Sequence, residues 1–297
     1  MAISETQLET WSHQGSVTQS ASTYAAVRGV LDHPNAPYHA KNYNIFLQGS
    51  YGNSTNIYSE SDVDIVICLT SSHYYDLKWL NEAETAAFNA NLGGPATYTL
   101  AQFKTDVIAW LKSNYGTDVD VGSKAIRIKG NNHRRDADVL VCMETRLYRN
   151  YSAYNTTDYH AGIRFNTAQG RAIVNYPIQH KENCTAKHGG TYSRFKPNVR
   201  IFKNMRNAMA TAGYIDKSRA PSYFIEGMLW NVPNTHFQNG YQATFKGCLN
   251  WLESSANVET MNCANNIHYL IRDGAAVCWN VDDFRATLQA YRRYWNA

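Results

Sequence analysis

Leu47-Gln48-Gly49-Ser50-Tyr51-Gly52-Asn53-Ser54-Thr55-Asn56-Ile57-Tyr58-Ser59-Glu60-Ser61-Asp62-Val63-Asp64 decides how this chain is read. An apolar run, Tyr43 to Leu47, predicts a strand that enters the stretch, and Ile65 to Leu69 predicts the strand that leaves it. Between them lie a Gly-Ser turn and an Asp-x-Asp pair. Side chains alternate along a strand, so Asp62 and Asp64 point to one face, roughly 7 Å apart. Two carboxylates so placed resist ionising together unless a cation sits between them. Hard oxygen donors of this kind suit Mg²⁺, which is held by one or two carboxylates plus substrate phosphates. The turn at Gly49 and Ser50 offers backbone N–H groups and a hydroxyl to a phosphate. The competing reading is a solvated hairpin with an acidic mouth. The order strand, Gly-Ser, spacer, Asp-x-Asp, apolar strand favours a metal-dependent site for a nucleoside triphosphate.

A third carboxylate is expected from Asp136-Ala137-Asp138-Val139-Leu140-Val141-Cys142, another apolar strand that opens with alternating acids. Beside the Asp62–Leu69 strand, Asp136 or Asp138 reaches the same metals. Two ions roughly 3.5–4 Å apart clamp the attacking and leaving oxygens of an in-line displacement.

Gly49-Ser50, Asp62-Val63-Asp64 and Asp138-Val139-Leu140-Val141 together resemble the polymerase-β-type nucleotidyltransferases. Lys196-Pro197-Asn198-Val199-Arg200-Ile201-Phe202-Lys203 and Pro221-Ser222-Tyr223-Phe224-Ile225-Glu226 narrow the resemblance to the cGAS/DncV-like nucleotidyltransferases (CD-NTases), and within them to the CdnE clade. It runs from the first helix to about Val232. It implies synthesis of a cyclic oligonucleotide second messenger in anti-phage (CBASS) defence, with two Mg²⁺ ions (or Mn²⁺), NTP substrates with UTP and ATP favoured, and a downstream effector that senses the product. It implies an α+β fold in which a nucleotidyltransferase lobe with a mixed sheet, residues 1–176, joins a helical lobe, residues 177–297, along a long N-terminal spine helix.

The resemblance also assigns residues. Asp62, Asp64 and Asp138 become the metal-binding and catalytic triad; Asp138 is preferred to Asp136 because the family's acid directly precedes the apolar strand. Ser50 becomes the loop serine that contacts triphosphate oxygens, with Gln48, Gly49, Tyr51 and Asn53 beside it, although plain turn chemistry explains them equally. Lys203 takes the place of a helix lysine that reaches the phosphates, with Lys196 and Arg200 as neighbours that could share the task; the alternative is solvated surface. Ser222 and Tyr223 match a Ser-Tyr pair that binds phosphate and stacks on a base, or Tyr223 is simply core. Asn175 lies where the clade has a variable lid residue. Its amide donates and accepts and so matches a uracil edge; the rival role is capping a strand end before Pro177. His160, His180 and His188 are read as structural.

The remaining chain is consistent with such an enzyme. At 297 residues, with 44% hydrophobic and 18% charged residues, it buries a large core. A net charge of +4 is far from that of a general nucleic-acid binder, so no nucleic acid is expected to be required. The six cysteines form no Cys-x-x-Cys pair, which predicts reduced structural thiols. The N terminus carries no basic-then-apolar segment, and no apolar run approaches ~18 residues, so a cytoplasmic protein without a membrane span is expected. Ser4-x-x-Gln7 opens a predicted helix from about residue 4 to 32. Thr99 to Tyr115 reads as a helix, Val119 to Ile128 and the Asp138 segment as strands, and the chain beyond Pro177 as helical, with helices at Arg194–Gly213, Ala220–Asn231, Tyr241–Ser254 and Val281–Ala297. Two other classes compete: a template-free RNA- or protein-modifying nucleotidyltransferase, and a non-enzymatic nucleotide binder.

Overall fold

The structure, a computed structural model, describes residues 3–15, 17–58, 62–275 and 277–297. Ser59, Glu60 and Ser61 of the opening stretch and Ser16 of the predicted first helix lie outside these. In chain order the elements are α1 (Glu5–Ser12), α2 (Thr18–Leu31), β1 (Tyr43–Leu47), the single turn α3 (Gly49–Gly52), β2 (Val63–Asp76), α4 (Glu82–Ala90), α5 (Leu100–Tyr115), β3 (Val119–Val121), β4 (Ile126–Ile128), β5 (Ala137–Tyr148), β6 (Tyr159–Asn166), β7 (Ala172–Asn175), α6 (Pro177–Gly190), α7 (Phe195–Thr211), α8 (Ser222–Asn231), α9 (Tyr241–Ser254) and α10 (Val281–Asn296). Packing groups Thr18–Gln48 with Asp62–Ile178 as a sheet unit, and Met1–Val17, Gly49–Ser61 and Gln179–Ala297 as a helical unit. The sequence reading cuts the chain once, between residues 176 and 177. The units change over close by, after Ile178, but they also exchange segments after residues 17, 48 and 61.

The sheet unit is built on β2 and β5, which pair in parallel, while every other pairing in the sheet is antiparallel. The strand order is β1-β2-β5-β4-β3, with β6 on the far half of β5 and β7 on β6. Period-two alternation sorts the two central strands. Val63, Ile65, Ile67 and Leu69 of β2 and Val139, Val141 and Met143 of β5 pack with Val27 and Leu31 of α2 and with Leu100, Phe103, Val107 and Leu111 of α5. Helix α5 begins at a capping box, Thr99 with Gln102, and ends at Gly116, whose φ of 55° suits glycine. The opposite face carries Val66, Cys68 and Cys142, covered by Ile163 and Phe165 of β6. Asp64 and Asp138 belong to this second face, at the strand starts, and both are half-buried.

The helical unit buries Phe202, Met205 and Met209 of α7 against α8, α9 and α10. Tyr291 of α10 donates to the Phe202 carbonyl at 2.7 Å. Helix α1 is held to this unit by the Glu5 carboxylate, which accepts the N–H groups of Tyr241 and Gln242, and by Leu8 in the same core.

The expected single spine helix is therefore two helices, and they belong to different units. The cause lies at residues 13–15. His13 is extended. The Gly15 N–H donates to the Asn56 carbonyl at 3.1 Å, and the Gln14 amide donates to the Asn56 side chain at 2.7 Å. A Cβ on Gly15 would come within 2.8 Å of the Ile57 backbone. Glycine both weakens the helix there and permits this approach, so a tertiary contact replaces helical hydrogen bonds.

Candidate active site

The acids fall into a row across the sheet. In the β2–β5 register Asp64 lies directly opposite Asp138, and in the β4–β5 register Asp138 lies opposite Arg127. Paired residues share a face, so Asp64, Asp138 and Arg127 form one line. Asp62, one residue ahead of β2, is exposed on the same face by alternation. On the other side of β2, the Gln48 N–H donates to the Asp64 carbonyl at 3.0 Å. The Gln48 side-chain oxygen is buried without a partner among the described residues.

Asp136 and Asp138 differ in their surroundings. The Asp136 carboxylate accepts the Gly130 N–H at 2.6 Å and the Arg127 guanidinium at 2.8 Å, and these hold its pKa below the ordinary carboxylate range. Among the described residues no such donor reaches Asp138. Burial first, then the Asp62 charge, push its carboxyl above the ordinary range, while Arg127 pulls the other way. An acid that burial and a neighbouring carboxylate keep from ionising is relieved by a divalent cation. Three carboxylates at adjacent strand starts are a donor set that fits Mg²⁺.

The Gly49–Ser50 turn belongs to the helical unit. Gly49 opens α3 at φ 66°, a conformation that costs a side chain more than glycine. A backbone hydrogen bond ties the turn to Thr55: the Ser50 carbonyl accepts the Thr55 N–H at 2.8 Å. Thr55 in turn donates its hydroxyl to the Glu226 carboxylate at 2.5 Å. Asn53 and His180 meet the other Glu226 oxygen at 3.1 and 2.9 Å. Burial alone would raise the Glu226 pKa, but His180, Lys203 and Thr55 outweigh it and hold the group in its charged form. His180, Cys184 and Glu226 also bring ligand atoms within 4.8 Å of one another. A cation there would have to displace the donors already on Glu226 and sit beside the Lys203 charge, so the group reads as a filled hydrogen-bond centre.

Lys203 departs from its expected place. It is 0% exposed, and its ammonium donates to the Thr55 carbonyl at 2.9 Å. The reason is Glu226: a buried carboxylate alongside offsets part of the cost of taking the lysine charge out of water. Ser222 opens α8 and its hydroxyl accepts from Arg206 at 3.2 Å. The Tyr223 ring stacks on His180, centroids 5.1 Å apart, and its hydroxyl accepts from Asn265. In the sheet unit, Asn175 ends β7 and its amide oxygen accepts the Tyr176 N–H at 2.9 Å.

The chain is similar to proteins of known family. The profile of the cGAS/DncV-like nucleotidyltransferase C-terminal helical domain matches residues 182–296. The cyclic UMP-AMP synthase of Rhodothermus marinus is 36% identical over 89% of this chain and 88% of its own. The chain belongs to the cGAS/DncV-like nucleotidyltransferases. The cyclic dipurine nucleotide synthase of Elizabethkingia meningoseptica is 33% identical over 84% of each chain. The solved structure of the Rhodothermus marinus CdnE c-UMP-AMP synthase with Apcpp and Upnpp superposes with a TM-score of 0.87, at 33% identity, covering 99% of this chain and 97% of that one. This CD-NTase is accordingly a nucleotidyltransferase of the cyclic nucleotide synthase kind, with the α+β fold of its relatives.

The sequence of this CD-NTase by itself gives Arg127 and Thr55 no role, and Glu226 only a place in a motif. The alternation Ile126-Arg127-Ile128 marks an outward arginine on a strand, but only the register shows that it faces Asp138. For Glu226 the one available signal was a carboxylate inside an apolar helix, Phe224 to Leu229, where an acid needs buried partners.

Proposed function

We propose that this enzyme condenses two nucleoside triphosphates, one of them UTP, into a cyclic dinucleotide, with Asp62, Asp64 and Asp138 as the ligands of two Mg²⁺ ions. The observation that carries the reading is the in-register pairing of Asp64 with Asp138 on one face, while Asp136 is engaged by Gly130 and Arg127. When bound, the metal supplies Lewis acidity and charge neutralisation at the phosphate oxygens. The 3′- or 2′-hydroxyl of one nucleotide attacks the α-phosphorus of the second; the new P–O bond forms as the bond to pyrophosphate breaks. In its carboxylate form Asp138 takes the hydroxyl proton. The linear intermediate then closes by the same step and releases a second pyrophosphate.

The other residues bind and orient. Ser50 and the N–H groups of its turn meet the triphosphate, and the Gln48 oxygen, without a partner among the described residues, accepts from a sugar hydroxyl. The cationic phosphate contact expected of Lys203 we assign to Lys196, which is only half-buried. Ser222 adds a hydroxyl, and Tyr223, braced on His180, stacks on a base. The catalytic division thus keeps the triad in residues 1–176 and the helix-borne contacts in 177–297. Asn175 reads the base: with its oxygen accepting from Tyr176, a second lone pair and two amide hydrogens remain for a uracil edge. The uridine is supported by the names of the Rhodothermus marinus relative and of its structure, and the Elizabethkingia meningoseptica enzyme shows that family membership alone does not set the bases. We place the enzyme in the cytoplasm, in anti-phage signalling through an effector that senses the product. Five buried, unpaired cysteines are compatible with a reducing compartment, and among the described residues no helix is long and apolar enough to cross a membrane.

The test is to incubate the pure protein with all four NTPs and Mg²⁺ and identify products by mass spectrometry. A cyclic dinucleotide containing uridine, abolished by EDTA and by Asp62→Asn with Asp64→Asn, is expected. Only linear products, or activity that survives both treatments, would overturn the reading.

A further inference from the structure

The segment just after the Gly-Ser turn is held residue by residue within the helical unit, by buried Glu226 and Lys203, by half-buried Arg200 and by the Gly15 backbone. Asn53 donates to Glu226. The Ser54 carbonyl accepts from Arg200 at 2.6 Å, and Ser54 itself stands at φ 59°, a conformation a serine adopts only when its surroundings impose it. The Thr55 hydroxyl goes to Glu226 and its carbonyl to Lys203. The Asn56 carbonyl accepts from Gly15. Glu226 is 3% exposed and Lys203 is wholly buried, so both charges are removed from water and spent on one another and on this segment. Burying such a pair is costly and rarely improves stability over an apolar pair of the same volume. A fold that keeps it gains a fixed geometry. Thr55 passes that geometry on, because its N–H donates to the Ser50 carbonyl.

We infer that Glu226, braced by His180 and with Lys203 alongside, is a positioning residue of the reaction: it holds Thr55 so that the Gly49–Ser50 turn keeps the shape that accepts a triphosphate. This rests on the reading of Ser50 as a phosphate contact. Glu226 touches no substrate in this scheme and acts through Thr55. The same wiring explains why Lys203 points inward, since its charge completes the clamp.

The experiment compares Thr55→Val, Thr55→Ser, Asn53→Ala and Glu226→Gln with the wild type. Amide exchange of the segment 50–57 is read first, without substrate. Thr55→Val and Glu226→Gln should exchange faster there and unchanged elsewhere, and Thr55→Ser, which restores the hydroxyl, should match the wild type. Kinetics are read second: the KM for NTP should rise about 10- to 150-fold in Thr55→Val, the loss of one hydrogen bond to a charged group, with a smaller change in kcat and with recovery in Thr55→Ser. If Glu226→Gln does not fold, Thr55→Val and Asn53→Ala decide alone. Unchanged exchange in Thr55→Val, or loosened exchange with an unchanged KM, overturns the clamp. Ser50→Ala separates the two readings: full activity in that variant refutes the phosphate role of Ser50, while the exchange result still judges whether Glu226 orders the segment.

Discussion

Asp138 stands half-buried opposite Asp64, whereas Asp136, two residues away on the same strand edge, already has a guanidinium and a backbone N–H. Asp138→Asn should therefore abolish nucleotidyl transfer, and Asp136→Asn should leave it in place; the reverse result would exchange the two residues. Stability should move the other way. A carboxyl whose folded pKa is raised favours the fold when protonated, and that contribution is lost as the pH rises through its folded value. At neutral pH in EDTA, the neutral Asp138→Asn variant should melt at or above the wild-type temperature, which differential scanning calorimetry will read. Asn175 makes a prediction of a different kind. Asn175→Ser keeps one hydroxyl but loses the paired donor and acceptor, and such a contact discriminates by ~1–3 kcal/mol, about 10- to 150-fold. Incorporation should shift from UTP towards purines, measured with labelled NTPs omitted in turn; an unchanged UTP-to-ATP ratio removes Asn175 from the specificity site.

Between elements, β6 and β7 carry the position of Asn175. Gly162 of β6 leaves room for the Tyr176 ring: a Cβ there would lie 2.7 Å from that ring and 2.8 Å from the Asn175 carbonyl. Gly162→Ala should cost about 1–3 kcal/mol through overpacking and change the UTP-to-ATP ratio together with it, checked by chemical denaturation and by product analysis. In the helical unit, Glu226 links α8 to α6 through His180. Its folded pKa, about 2, lies below the ordinary 4.5, so its stabilising contribution is complete above pH 4.5 and is lost as the pH falls towards 2. Glu226→Gln should lower stability at pH 7 and flatten its acid dependence between those values, followed by urea titrations at several pH values. Helix α7 shows what a pattern reveals about an element: its inward stripe of Val199, Phe202, Met205 and Met209 is buried as the helical period requires. Lys203 falls beside that stripe, and no period tells an inward lysine from a solvated one.

At the scale of the whole chain, a net charge of +4 is far from that of a general nucleic-acid binder. Product formation by the pure enzyme should be unaffected by added duplex DNA or RNA; a large stimulation by either would show a nucleic-acid activator. Local pattern alone determined a good deal of this protein. Alternation placed Asp62 and Asp64 on one face, a second acid-led apolar run marked β5 as their neighbour, and caps and glycines bounded α5, because each of these signals is carried by residues adjacent in the chain. The family resemblance read from those motifs is the family to which the chain belongs. Other features were decided only by tertiary structure. The break in the first helix depends on a backbone contact between Gly15 and residues 56–57, more than forty positions away. The different surroundings of Asp136 and Asp138 depend on a hairpin that brings Arg127 and Gly130 to Asp136. The burial of Lys203 depends on Glu226, from another helix. In each case the deciding free energy is that of a polar group finding its partner, and the partner is chosen by the fold, not by the neighbouring sequence.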